Sequence, residues 1–134
     1  MLKLYIKLIF LTIILSAVFI SCDDSLTTDD IDSREIPETN VSYSLHISPF
    51  IEFKCVNCHN PSRPDGGVDL STWSGITNPV IMTRGTSETS IIVWTVERRS
   101  GFPPMPPLDS PYLVLTPTQL RGLKTWIDEG AENN

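Results

Sequence analysis

The feature that most constrains this chain is Cys55-Val56-Asn57-Cys58-His59, a Cys-x-x-Cys-His pentapeptide. Two thiols on adjacent turns of a short helical segment can each add to one vinyl group of a haem, and the histidine after the second thiol is then carried under the porphyrin plane. His59 is therefore the expected proximal iron ligand, with Cys55 and Cys58 as the attachment points. Cys-x-x-Cys also occurs in zinc sites and redox disulfides. A thioredoxin-like motif sits at the end of a strand in a βαβ pattern, and a tetrahedral zinc site needs a fourth ligand at metal-binding spacing. Neither context is visible in the sequence, so a single, covalently attached haem c is the preferred reading, with zinc and a simple disulfide as the alternatives.

A chain of 134 residues, less an export leader, has room for one domain of about a hundred residues, which is small for an unaided core. A covalently held haem would add a large apolar surface on which side chains pack. That explains how a chain with 40% hydrophobic residues and 11 prolines reaches an ordered fold. Each of the 3 cysteines has a separate expected place: Cys22 at the leader, Cys55 and Cys58 at the haem.

Residues 1–21 begin with Lys3 and Lys7, continue as an apolar run from Leu8 to Ile20, and end before Cys22, which reads as an export signal. Phe19-Ile20-Ser21-Cys22 resembles a bacterial lipobox, in which the cysteine is lipidated and becomes the new N-terminus. An uncleaved membrane anchor is the alternative; in either case the domain is exported and membrane-tethered, facing the periplasm or the cell surface from the cell membrane or outer membrane. Residues 22–42 carry Asp23, Asp24, Asp29, Asp30, Asp32, Glu35 and Glu38 against Arg34 alone, and read as a disordered acidic tether. As a flexible coil, it would average roughly 20–25 Å end to end. The folded domain is expected over residues 43–134.

Loss of Lys3 and Lys7 with the leader leaves 8 basic against 16 acidic residues, a balance of −8. No basic patch with interleaved aromatics exists, so nucleic-acid binding has nothing to rest on. The acidity reads first as a solubilising surface and second as a match for a basic partner.

Within the domain, Ser48-Pro49 reads as an N-cap and first helical residue of the helix that delivers the pentapeptide. Gly66-Gly67 lies in a loop that either passes close to something bulky or makes an ordinary turn. Residues 68–73 are too short to assign, and residues 86–98 read as a helix entered from a Thr or Ser cap, with a strand as the alternative. The last element is the clearest. Thr116-Pro117-Thr118-Gln119 is a capping box with proline at the first helical position, Leu120, Leu123, Trp126 and Ile127 form an apolar stripe, and Gly130 closes the helix.

A six-coordinate haem needs a group opposite His59, and the choices are Met82, Met105, His46 or an exogenous ligand. Met105 is preferred, because Gly101-Phe102-Pro103-Pro104-Met105-Pro106-Pro107 is a strap in which four prolines fix φ and present the thioether with little entropy to lose. A polyproline ligand for a partner domain would leave the methionine unexplained.

The pentapeptide, Gly66-Gly67-Val68-Asp69-Leu70, the Gly85-to-Ile92 turn and helix entry, Met105-Pro106-Pro107 and the closing Trp126-Ile127-Asp128-Glu129-Gly130-Ala131 together resemble the small planctomycete-type cytochrome c domains. Their order and spacing agree over about residues 45–131. The resemblance implies an all-α, cytochrome c-like fold of three to four helices with long irregular loops around one haem c, with His59 and Met105 as axial ligands. The expected function is one-electron transfer between exported redox partner proteins, by a lipid-anchored monohaem cytochrome. A haem-based ligand-binding or sensing module, in which the methionine is displaced, is the alternative. Enzymatic catalysis by a Ser/His/Asp or paired-carboxylate constellation is not expected, since His46 is the one histidine left to serve it.

Overall fold

A computed structural model describes residues 26–111 and 114–134, together with Lys3. The expected leader and lipidation site at Cys22 lie outside the described residues. Five α-helices occur among them: α1 (Thr28–Asp32), α2 (Ser48–Lys54), α3 (Trp73–Ile76), α4 (Ile91–Val96) and α5 (Pro117–Asp128). The fold is mostly α, as expected, although α1 and α3 are short additions to the three to four helices anticipated. A two-residue hairpin interrupts it, β1 (His59–Asn60) pairing antiparallel with β2 (Arg63–Pro64) in the register His59 to Pro64. No helix among the described residues is long and apolar enough to cross a membrane.

α5 forms as its sequence demands. Thr116 Oγ1 accepts from Gln119 N at 3.2 Å while Gln119 Oε1 accepts from Thr116 N at 3.0 Å, which satisfies two of the free donors at the helix start. Gly130 ends the helix at φ 103°. The buried face is Gln119, Gly122, Leu123, Trp126 and Ile127. Leu120, expected in the stripe, is half-buried outside the core cluster. Trp126 stacks on Tyr43 with ring centroids 5.4 Å apart, so α5 packs across the start of the first long helical element.

That element begins earlier than Ser48. Ser42 is its N-cap, accepting from Leu45 N, and a π-helical turn over Tyr43–Ile47 leads into α2. The wider turn has a local cause: Pro49 has no N–H to offer the preceding turn, and its ring crowds the carbonyl four residues back. Ser48 N bonds instead to Tyr43 O, and the Ser48 hydroxyl donates to Glu52 Oε1. Over residues 86–98 a 3₁₀ turn at Ser87–Thr89 precedes α4, so the helical reading holds there for a shorter span. Gly66 and Gly67 both adopt left-handed φ, 66° and 75°, and no protein atom would lie within 4 Å of a Cβ at either. The turn conformation itself therefore accounts for the glycine pair.

The reading of residues 22–42 as a flexible tether is corrected from Thr27 on. Thr27 caps α1, and Ile31, Ile36 and Val41 are buried in the main core at 1%, 7% and 2% exposure. Burying each such side chain stabilises by about 1.5–3 kcal/mol, which an acidic composition does not reveal. Arg121 donates to the carbonyls of Ile36 and Pro37, and the Glu129 carboxylate accepts from the N–H groups of Asn40 and Val41. Gly122 makes room for this strand of chain, since a Cβ there would meet Ile36 Cγ2 at 2.6 Å. Gly122→Ala is accordingly expected to destabilise the protein by about 1–3 kcal/mol through overpacking and to make residues 28–42 sensitive to protease. Denaturant melts and limited proteolysis would show it; unchanged proteolysis would refute the docking.

Candidate functional site

The end of α2 positions the pentapeptide. Cys55 N closes the helix on Ile51 O at 2.9 Å, and Cys55 O accepts from both Cys58 N at 3.1 Å and His59 N at 3.0 Å. This tight turn brings both thiols and the imidazole to one side of the chain. Beyond it, Asp65 N bonds to Cys58 O and Leu70 N to His59 O, so the following loop is pinned back on the motif. Asn60 holds the hairpin, its Oδ1 accepting from Ser62 N and Arg63 N and its Nδ2 donating to Val56 O at 2.7 Å.

Cys55, Cys58, His59 and Met105 all line one cavity of about 290 Å³, whose wall is otherwise mainly aliphatic, with Leu70, Ile92, Val96 and Leu123 among its residues. Met105 is carried there by the proline strap, which is fixed to α4 at two points: Met105 N donates to Thr95 O at 3.0 Å, and Phe102 packs on Trp94 with centroids 4.7 Å apart. Met82 and His46, the other residues weighed as ligands, do not line the cavity. Met82 is 3% exposed in the core, and His46 Nδ1 accepts from Ser42 N at 2.9 Å, a helix-capping role.

The residues present fit a haem c. Cys55 and Cys58 are free thiols, and among the described residues no group of three or more His, Cys, Asp or Glu side chains is arranged to hold a metal ion. Cys55 is half-buried as a residue, and burial of its thiol pushes the pKa up to about 12, with nearby Lys54 opposing that shift and Cys58 adding to it. A thiol held neutral in this way does not suit zinc binding, which needs thiolate. His59 Nδ1 is buried and has no hydrogen-bond partner among the described residues. Leaving such a nitrogen unbonded costs about 1–3 kcal/mol.

Two buried polar residues in this region escaped the sequence reading. Lys54 is 7% exposed and lines the cavity, and Gln119, read as a capping residue, is 1% exposed. Lys54 Nζ donates to Gln119 Oε1 at 3.0 Å and pairs with Asp32 at 2.6 Å. No local signal marks them, because their burial depends on α1 and α5 closing over α2.

The family model described as Planctomycete cytochrome C matches residues 55–109, which contain the attachment motif, the hairpin, α3, α4 and the strap. Over those residues the match supports a small c-type cytochrome domain, a similarity that points at a coarse level to haem-based electron transfer. Searches of curated proteins and of solved structures find no match.

The raised Cys55 pKa gives a direct expectation. In the folded chain before haem attachment, alkylation of Cys55 by iodoacetamide at pH 8 should be slower than that of an unperturbed cysteine by roughly two to three orders of magnitude, and should accelerate as pH rises towards 12. Peptide mass spectrometry over a pH series measures the rate; labelling as fast as in the denatured chain would show that the thiol is not held in the wall.

Proposed function

We propose that the protein is an exported, membrane-anchored monohaem cytochrome c that passes single electrons between redox partner proteins and is not itself an enzyme. The observation that carries the reading is the convergence of Cys55, Cys58, His59 and Met105 on one apolar cavity inside the matched domain. Haem c, when attached, supplies the Fe(II)/Fe(III) couple. Cys55 and Cys58 would hold it in the cavity, and His59 and Met105 would supply the iron ligands. The aliphatic wall keeps water out and the dielectric low, which limits reorganisation between the two oxidation states. The strap's bonds to α4 hold Met105 in place, so that little order must be gained on ligation.

Anchoring rests on Cys22 and the apolar stretch before it. With α1 docked on the domain, six residue steps separate Cys22 from Thr28, at most roughly 20 Å of extended chain. The cytochrome domain in this reading stays close to the membrane surface. Cys22→Ala should leave an unprocessed precursor without acyl groups; an intact residue 1–21 segment on the wild-type protein would rule out the lipoprotein.

Protein produced with a cytochrome c maturation system should retain one haem through acid-acetone extraction, and Cys55 and Cys58 replaced together by alanine should abolish attachment. Met105→Ala is expected to keep the haem bound while losing the methionine-to-iron charge-transfer band of the ferric form and lowering the redox potential, because a thioether favours Fe(II). Met82→Ala should keep both properties. A wild-type protein without that band, whose high-spin ferrous form takes up CO rapidly, would turn the reading to the sensing module.

A further inference from the structure

The wall of the cavity contains a buried cation for which the electron-transfer reading so far has no role. Lys54, the residue before Cys55, lines the cavity with a side chain 3% exposed. Its ammonium meets three acceptors: Asp32 Oδ1 at 2.6 Å, Val114 O at 3.0 Å and Gln119 Oε1 at 3.0 Å. Gln119 completes the cluster, its Nε2 donating to Ile31 O at 3.2 Å and Asp32 Oδ1 at 3.0 Å. Ile51, Leu115 and Leu123 form aliphatic wall on the same cavity.

A buried ammonium carries a desolvation penalty that an aliphatic residue would avoid, so stability alone is a poor reason for Lys54 to be there. Its counter-charge comes from α1, in the segment seated on the domain by Ile31, Ile36 and Val41. The charge of the wall therefore depends on that segment. With Asp32 in place the pair is close to neutral; without it, the wall holds an uncompensated cation one residue from the first attachment cysteine.

We propose that the ion pair between buried Lys54 and partly exposed Asp32 sets the redox potential of the haem held at Cys55 and Cys58, with Lys54 favouring Fe(II) and Asp32 opposing it. The N-terminal segment thus tunes the centre on which it is docked. The physical basis is Coulombic: Fe(III) gains one electron from a redox partner to become Fe(II), and a fixed positive charge in a low-dielectric wall favours the less positive state. The inference rests on the haem reading proposed above.

The test is a spectroscopically followed redox titration of the full chain matured with haem. Asp32→Asn should raise the midpoint, Lys54→Gln should lower it, and the double variant should return close to the wild-type value. A purely structural role predicts a different pattern, since either substitution opens the wall to water and both midpoints then move the same way. Shifts of one sign, or no shift, overturn the proposal. If Lys54→Gln fails to accumulate, Asp32→Asn decides alone, and an unchanged or lowered midpoint overturns it. A haem-free protein in a haemochrome assay overturns the functional reading and this inference together, whereas a haem-bearing protein with the wrong pattern of shifts overturns only the inference.

Discussion

The stacking of Trp126 on Tyr43 joins the last helix to the first long helical element, and the rest of the structure depends on that junction. α5 brings Leu123 into the cavity wall and Trp126 and Ile127 into the core, while α2 runs from the same junction to Cys55. The indole nitrogen of Trp126 donates to Glu132 O, and that of Trp73 to Ala131 O, so the chain after α5 is tied to α3 as well. In a domain this small, few apolar residues are available for a core remote from the cavity. Ile51, Leu70, Ile92 and Leu123 serve both at once, so loss of whatever fills the cavity is also loss of core.

The strap and the attachment motif illustrate two ways of holding a side chain at a site. Cys55, Cys58 and His59 are placed by one helix end and a turn whose hydrogen bonds converge on Cys55 O, a local device. Met105 is placed from a distance, by prolines that limit its backbone and by contacts with α4. Exposed charge is organised separately. Glu88 is held down to about 2 by hydrogen bonds from Lys124 and Arg99, which also reach Glu97, so four side chains form one surface network linking the 3₁₀ turn, the end of α4 and α5. That network contributes stability fully above the ordinary carboxylate range and loses it as pH falls towards 2. Its solvent exposure keeps the contribution small.

The segment before the domain shows how composition misleads when burial is carried by a few positions. Its acids describe a solvated chain, and among the described residues Asp29, Asp30, Glu35 and Glu38 are indeed exposed. Three isolated aliphatics, Ile31, Ile36 and Val41, nevertheless reach the core, at a spacing of five residues that matches neither helix nor strand periodicity. Their partner surface is created by α5, whose Gly122 lets Ile36 approach. Asp32 then finds Lys54, and a residue counted as part of a flexible acidic run becomes the partly exposed half of an ion pair with a buried lysine.

What the sequence determined by itself was local chemistry: the pentapeptide spacing, the capping box and proline start of α5, the need for glycine at residues 66 and 67, and the stiffness of the strap around Met105. Each follows from covalent geometry or from hydrogen bonds within a few residues of chain, and so is written in consecutive positions. Only the tertiary structure decided which methionine lines the cavity, that Leu120 faces away from the core while Gln119 faces into it, that the first helical element starts at Ser42 with His46 as part of its cap, and that residues 28–42 belong to the packed domain. Those outcomes depend on side chains brought together from distant parts of the chain, where the free energy of burial is shared among partners that no local pattern can name.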